Sequence, residues 1–218
     1  MNLKELDVFQ ELHIQTHSEL SGVRQALINK ASNLWKHDLE KEEDIRSAAI
    51  NDEDVIVFIR ESFNDIDESC LILWQDGNGY SVTNIVPRNV GELGIKKYNC
   101  ILNDFYNRIV LPASSDDLFT VLLSSSVKTL EDFLDKLSID ALNKFSRLAN
   151  KSTGTSHPSD EARWFEFLIK AHNASVSLDA GQLARWLSEV EQWPDEIASE
   201  LAINYESSRS LLKAYDKS

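Results

Sequence analysis

Residues 55–87 read VIVFIRESFNDIDESCLILWQDGNGYSVTNIVP, and this stretch decides the fold class. Its first six residues are mostly β-branched and apolar, which predicts a short strand buried on both faces. Residues 70–75 and 80–86 flank the sequence Asp-Gly-Asn-Gly at 76–79. Because Asp-Gly and Asn-Gly tolerate the positive φ angles of tight turns, these two runs are predicted to form a hairpin.

The segments on either side of this stretch add one strand and one helix each. Apolar and polar residues alternate over Val8–Ile14, which favours a strand, and Leu20–Leu34 carries the apolar stripe of a packed helix. Ile95–Leu111 is a second amphipathic helix that we expect Pro112 to end, and residues 118–123 are typical of a final strand. The order predicts an α+β fold with an antiparallel or mixed sheet of about five strands and two long helices.

The pattern changes to helices after Thr129. Periodicity and capping residues predict helices at about 139–149, 158–172, 179–191 and 194–216, which would form an all-helical C-terminal lobe. We therefore divide the chain into an α+β sheet lobe at 1–126 and a helical lobe at 127–218, and we favour two lobes within one compact unit.

The strongest global property is charge. There are 36 acidic and 22 Lys or Arg side chains, so the formal net charge is -14. The acids form clusters, namely Glu40, Glu42, Glu43 and Asp44, then Asp52, Glu53 and Asp54, then Asp65, Asp67 and Glu68. Such a surface repels phosphate and anionic lipid, so we expect no nucleic-acid or membrane partner and favour a basic protein partner. The alternative is that the acidity only keeps the protein soluble.

Residues 150–160, NKSTGTSHPSD, hold the densest group of potentially reactive side chains. As a connector, this stretch would use Gly154 to turn the chain, Ser156 or Ser159 to cap the next helix, and Pro158 in its first turn. As a binding loop, it would offer the contact residues Lys151, His157 and Arg163 in an otherwise acidic protein. As an active site, it would draw on Lys151, Ser152, His157 and Asp160.

The remaining motifs predict no nucleotide-binding, metal-binding or cofactor site. No phosphate-binding loop of the G-x-x-x-x-G-K-[ST] or G-x-G-x-x-G form is present. His13 and His17 fall where a strand gives way to a helix, and no paired cysteines accompany them, so we expect no metal and no cofactor. Cys70 and Cys100 are expected to be buried thiols of a reducing compartment, and with no apolar run long enough for a membrane span we expect a cytoplasmic protein.

These observations favour a non-catalytic protein-binding or regulatory factor, of the inhibitor or immunity type, for a basic partner. The alternative is an enzyme whose site lies at the lobe seam and uses the Lys151–Asp160 loop.

Overall fold

The computed structural model describes residues 4–17, 19–49, 53–63, 66, 68–88, 93–114, 118–174 and 178–218. Of the predicted acidic clusters, Asp52, Asp65 and Asp67 lie outside the described residues. Backbone contacts divide the chain into two compact units. We call Asp7–Ser126 the sheet unit, and we call the residues up to Leu6 together with Val127–Ser218 the helical unit.

The fold is mixed α+β, as predicted. The strands are β1 Leu6–Asp7, β2 Leu12–Thr16, β3 Trp35–His37, β4 Val55–Arg60, β5 Ser69–Gln75, β6 Gly79–Pro87, β7 Phe119–Leu123 and β8 Val127–Lys128. The helices are α1 Leu20–Ile28, α2 Leu39–Ala48, α3 Gly94–Phe105, α4 Leu111–Ala113, α5 Lys136–Leu148, α6 Pro158–Asn173, α7 Ala180–Arg185 and α8 Asp195–Tyr215. A π-helical turn joins α3 to α4, and another follows α7.

The sheet unit is built on one antiparallel sheet of six strands in the order β3-β4-β5-β6-β2-β7. Strand β4 is buried along almost its whole length, as its unbroken apolar sequence predicts. Ile56 and Phe58 contribute to the main core, whereas Val55 and Val57 pack on the opposite face with Cys70. Strand β1 pairs separately with β8 in a two-stranded sheet.

The predicted hairpin forms at residues 76–79. Asp76 N–H donates to the Gly79 carbonyl over 3.0 Å, and Gly77 has the positive φ of 56° that the turn requires. Gly79 is required for a different reason, because a Cβ at this position would lie 1.8 Å from the Ile14 carbonyl oxygen. The glycine thus allows β2 to approach the start of β6 closely.

The strand predicted over Val8–Ile14 begins only at Leu12. The preceding backbone is held in part by the Asn99 side chain, and the Val8 N–H also donates to the Ser126 carbonyl over 2.9 Å. Gln10 N–H donates to Asn99 Oδ1 over 2.9 Å, and Asn99 Nδ2 donates to the Val8 carbonyl over 2.8 Å.

The sheet unit also holds elements that the sequence did not predict. Helix α1 ends at Ile28, and the chain then forms β3 and α2, so the described sheet has six strands where about five were expected. The helix expected to end at Pro112 continues through it to Ala113. The π-helical turn precedes this proline, and the Leu111 N–H donates to the Tyr106 carbonyl, five residues back.

The helical unit encloses an aromatic core. Phe145 contacts Trp164 at 4.9 Å and Trp193 at 5.2 Å between ring centroids, and Phe167 stacks on Tyr205 at 5.8 Å. Helices α5, α6 and α8 lie close to their predicted ranges because each carries an apolar stripe. Helix α7 ends at Arg185, and the π-helical turn Trp186–Val190 covers most of the rest of the range predicted for it. The predicted lobe at 127–218 is not wholly helical, since it begins with β8.

Candidate functional site

The 150–160 stretch forms a turn followed by a helix start. The Thr153 and Gly154 N–H groups both donate to the Asn150 carbonyl, and Gly154 has a φ of 60°. The prediction that Ser156 or Ser159 caps α6 was wrong. His157 takes that position, and its Nδ1 accepts from the Ser159 N–H over 3.2 Å while Pro158 occupies the first turn.

Three of the five predicted site residues line one shallow, open depression of about 660 Å³. They are His157, Asp160 and Arg163, and the other lining residues also fall between 148 and 163. Asp160 is almost fully buried, with one carboxylate oxygen paired with Arg163 and the other accepting from the Asn150 N–H over 3.3 Å. Its carboxylate therefore joins the turn to the first turn of α6.

The other two predicted site residues point to different surroundings. The Lys151 ammonium donates to the Glu191 carbonyl and lies 6.0 Å from the centre of the Trp193 ring. Ser152 is exposed, and its backbone N–H donates to Asn150 Oδ1. These contacts are those of a connector that ends one helix and starts the next.

Helix α2 carries a group of exposed carboxylates. Glu40, Glu43 and Asp44 are exposed on its outer side, and within the described part of the chain no cation lies within ion-pair distance of them. We call these three residues the α2 acidic face. By contrast, Glu42 of the same cluster is completely buried.

Glu42 is the centre of a polar network. Its Oε1 accepts from the Val57 N–H at 3.0 Å and lies 2.6 Å from His37 Nε2, while its Oε2 pairs with the guanidinium of Arg24. The network continues from Arg24 to Asp54, whose Oδ2 accepts from the Tyr80 hydroxyl over 2.6 Å. A buried carboxylate requires such partners, because an unpaired charge in the interior is strongly destabilising.

This environment shifts the pKa values of two groups in the network. Burial, with the hydrogen bond to Asp54, raises the pKa of Tyr80 above its ordinary value. Burial alone would lower the pKa of Arg24, but the hydrogen bond and charge of Glu42 outweigh it and raise that pKa. All these groups bind one another or the backbone, so the network holds the fold together.

The sequence prediction did not separate Glu42 from its acidic neighbours. The local signal is Ile45, which lies three residues after Glu42 on the same face of α2 and packs against the sheet. The prediction that both cysteines are buried was wrong for Cys100, which is exposed on α3. Cys70 is buried, and burial raises the pKa of its thiol.

No group of His, Cys, Asp or Glu side chains within the described ranges could hold a metal ion. Among the helices that the structure describes, none has an apolar stretch long enough to cross a bilayer. Comparison with known proteins gives no relative, since no family model, curated protein or solved structure matches the chain.

Proposed function

We propose that this chain is a non-catalytic protein-binding factor, of the inhibitor, immunity or regulatory type, whose acidic sheet unit binds a basic protein. The supporting observation is where the charge lies. Residues 7–126 hold twenty Asp and Glu side chains against ten Lys and Arg. The sheet unit therefore accounts for most of the net charge of the chain.

Several cations of the sheet unit are paired with acids outside the α2 acidic face. Lys36 pairs with Glu61, Arg46 with Asp54, and Arg88 with Glu68. The α2 acidic face has no such partner among the described residues, so its charges are available to an incoming protein. Complementary charge of this kind increases the association rate and discriminates against anionic partners.

The test is affinity capture with the tagged full-length protein from lysate of its own host. Capture at about 0.1 M and about 1 M salt compares Debye lengths of about 10 Å and about 3 Å. We expect a basic protein to be recovered at the lower salt concentration and lost at the higher one. Recovery that does not depend on salt, or recovery of acidic proteins only, would contradict the proposal.

A pair of charge-matched variants makes the test specific. The first variant carries Glu40→Gln, Glu43→Gln and Asp44→Asn on the α2 acidic face. The control carries Asp140→Asn, Glu200→Gln and Glu206→Gln, which removes the same charge from exposed positions of the helical unit. We expect the first variant to lose the partner and the control to retain it, whereas equal loss would indicate that only net charge matters.

A further inference from the structure

The two edge strands of the six-stranded sheet, β3 and β7, differ in the hydrogen-bond partners of their outward backbone groups. At the β3 edge, the backbone groups of Trp35 that point away from β4 are both satisfied by Ser32. Trp35 N–H donates to Ser32 Oγ over 3.3 Å, and the Trp35 carbonyl accepts from the Ser32 N–H over 2.8 Å. This edge offers no free group at Trp35 to a further strand.

Beyond the end of β3, two side chains and the Asp38 backbone N–H satisfy outward groups of β4. The Val57 N–H donates to Glu42, the Val57 carbonyl accepts from the Asp38 N–H over 2.9 Å, and the Val55 carbonyl accepts from Arg24 over 2.8 Å. The buried network thus covers this edge of the sheet at Val57 and at the Val55 carbonyl. Such covering is a common means of preventing unwanted strand pairing.

Strand β7 forms the other edge. The Ser124 N–H donates to the Glu11 carbonyl over 2.9 Å, and the antiparallel register pairs Leu122 with His13 and Thr120 with Gln15. Because hydrogen bonding alternates along a strand, the backbone groups of Thr120 and Leu122 point to β2. Those of the three intervening residues point outward, namely Phe119, Val121 and Leu123. Within the described chain these outward groups have no hydrogen-bond partner.

Three common devices against strand pairing, namely charge, proline and a bulge, are absent from the described residues of this edge. Residues 118–127, LFTVLLSSSV, contain neither a charged residue nor a proline. The register of β7 with β2 is unbroken over five residues, so no bulge turns the edge away. Val121 and Leu123 are only partly buried against the core, and the Leu122 side chain is 66% exposed. An uncharged, regular, apolar edge strand is a template for a further strand.

We propose that β7 is the docking site for an extended segment of the protein partner, which pairs with β7 as a seventh strand and carries Lys or Arg on its solvent side. The choice of a basic segment rests on the function proposed above. It is supported locally by the exposed carboxylates of Glu11 and Asp76 beside His13, the residue opposite Leu122. The added strand lies about 10 Å from β2, within a Debye length at about 0.1 M salt. Apolar residues on its inner side would complete the burial of Val121 and Leu123.

A second copy of the chain is a less favourable occupant. Pairing β7 with itself would bring together two chains that each carry a net charge of -14. Like charges at this density oppose association.

The probe is a capped nine-residue peptide of alternating lysine and valine, added to the ¹⁵N-labelled full-length protein. We expect saturating peptide to slow amide exchange of Val121 at least tenfold, because its N–H then donates to the added strand. The Thr120 and Leu122 amides, already bonded to β2, should change little. Unchanged exchange at Val121 with millimolar peptide would overturn the proposal.

Variants at β7 test whether backbone pairing is responsible. Val121→Pro removes an outward N–H without taking a hydrogen bond from the sheet, whereas Val121→Ala keeps that N–H. We expect Val121→Pro to weaken peptide binding at least tenfold and Val121→Ala less than threefold. Leu122→Lys, which places a cation at an exposed position, should also weaken binding if Val121→Pro fails to fold. Binding equal to wild type in the folded edge variants would overturn the proposal.

A matched peptide with glutamate in place of lysine separates this inference from the proposed function. Protection of Val121 by both peptides alike would support docking at β7 and overturn the basic character of the occupant. Salt-dependent binding of the lysine peptide without protection of Val121 would overturn docking at β7 and leave the acidic binding function standing. Concentration-dependent protection of Val121 in the free protein would identify a second copy as the occupant and overturn the assignment to a partner.

Discussion

Replacing Glu42 with alanine tests the role assigned to the buried network. Glu42 has no exposed surface and receives hydrogen bonds from Val57 and Arg24. Its removal would leave the Val57 N–H unsatisfied at the edge of β4 and the Arg24 guanidinium without its most buried partner. Breaking a buried ion pair by removing one member costs about 3–5 kcal/mol. Since domains are stable by only about 5–15 kcal/mol, we expect the sheet unit to lose a large part of its stability.

The assay is urea unfolding of the full-length variant, followed by far-ultraviolet circular dichroism and tryptophan fluorescence. Glu43→Ala is the matched control, because Glu43 is the next residue of α2 and is exposed. It should change the free energy of unfolding by no more than about 0.5 kcal/mol. Glu42→Gln should fall between the two, since its amide oxygen still accepts from Val57 but lacks the charge that pairs with Arg24. A Glu42→Ala protein within about 1 kcal/mol of wild type would refute the view that this network covers the sheet edge at Val57.

Three further changes have defined outcomes. Gly79→Ala should lower the midpoint of thermal unfolding strongly, because the added Cβ would overlap the Ile14 carbonyl oxygen, and a wild-type midpoint would contradict this close approach. Burial alone would raise the pKa of Asp104, but hydrogen bonds from Arg108, Trp35 and Arg60 outweigh it and lower that pKa. Its contribution to stability is therefore present above the ordinary pKa of about 4 and lost as pH falls through the lower folded value. Asp104→Asn should reduce the loss of unfolding free energy at low pH, measured by urea unfolding. A pH profile equal to that of wild type would contradict this role of Asp104. Replacing Lys151, His157 and Arg163 together with alanine should leave capture of the basic partner intact. Loss of the partner would restore the interpretation of this stretch as a binding loop.

Local sequence was sufficient to predict elements whose residue types favour one kind of secondary structure. The turn at residues 76–79 was predicted because Gly77 supplies its positive φ angle, and β4 was predicted because its apolar run fits a strand buried on both sides. The helices of the helical unit followed from their periodicity. In each case the information lies within a few consecutive residues.

Elements stabilised by distant partners could not be predicted in this way. Strand β3 has only three residues and exists because Trp35–His37 pairs with Phe58–Arg60. Helix α2 has few apolar residues, and it packs on β4 through Ile45 and through the burial of Glu42. Strand order is likewise a tertiary property, so nothing in residues 118–123 alone indicates that this strand lies at an edge.

Residue-level amide exchange of the free full-length protein tests the difference between the two sheet edges directly. We expect slow exchange at Trp35 and Val57, whose N–H groups are bonded at the β3 and β4 edge, and slow exchange at Thr120 and Leu122, whose backbone groups face β2. We expect fast exchange at Val121, between them, because its N–H points outward from an open edge. Slow exchange at Val121 in dilute free protein, or fast exchange at Val57, would contradict a sheet whose β4 edge is covered at Val57 and whose β7 edge is open to a partner at Val121.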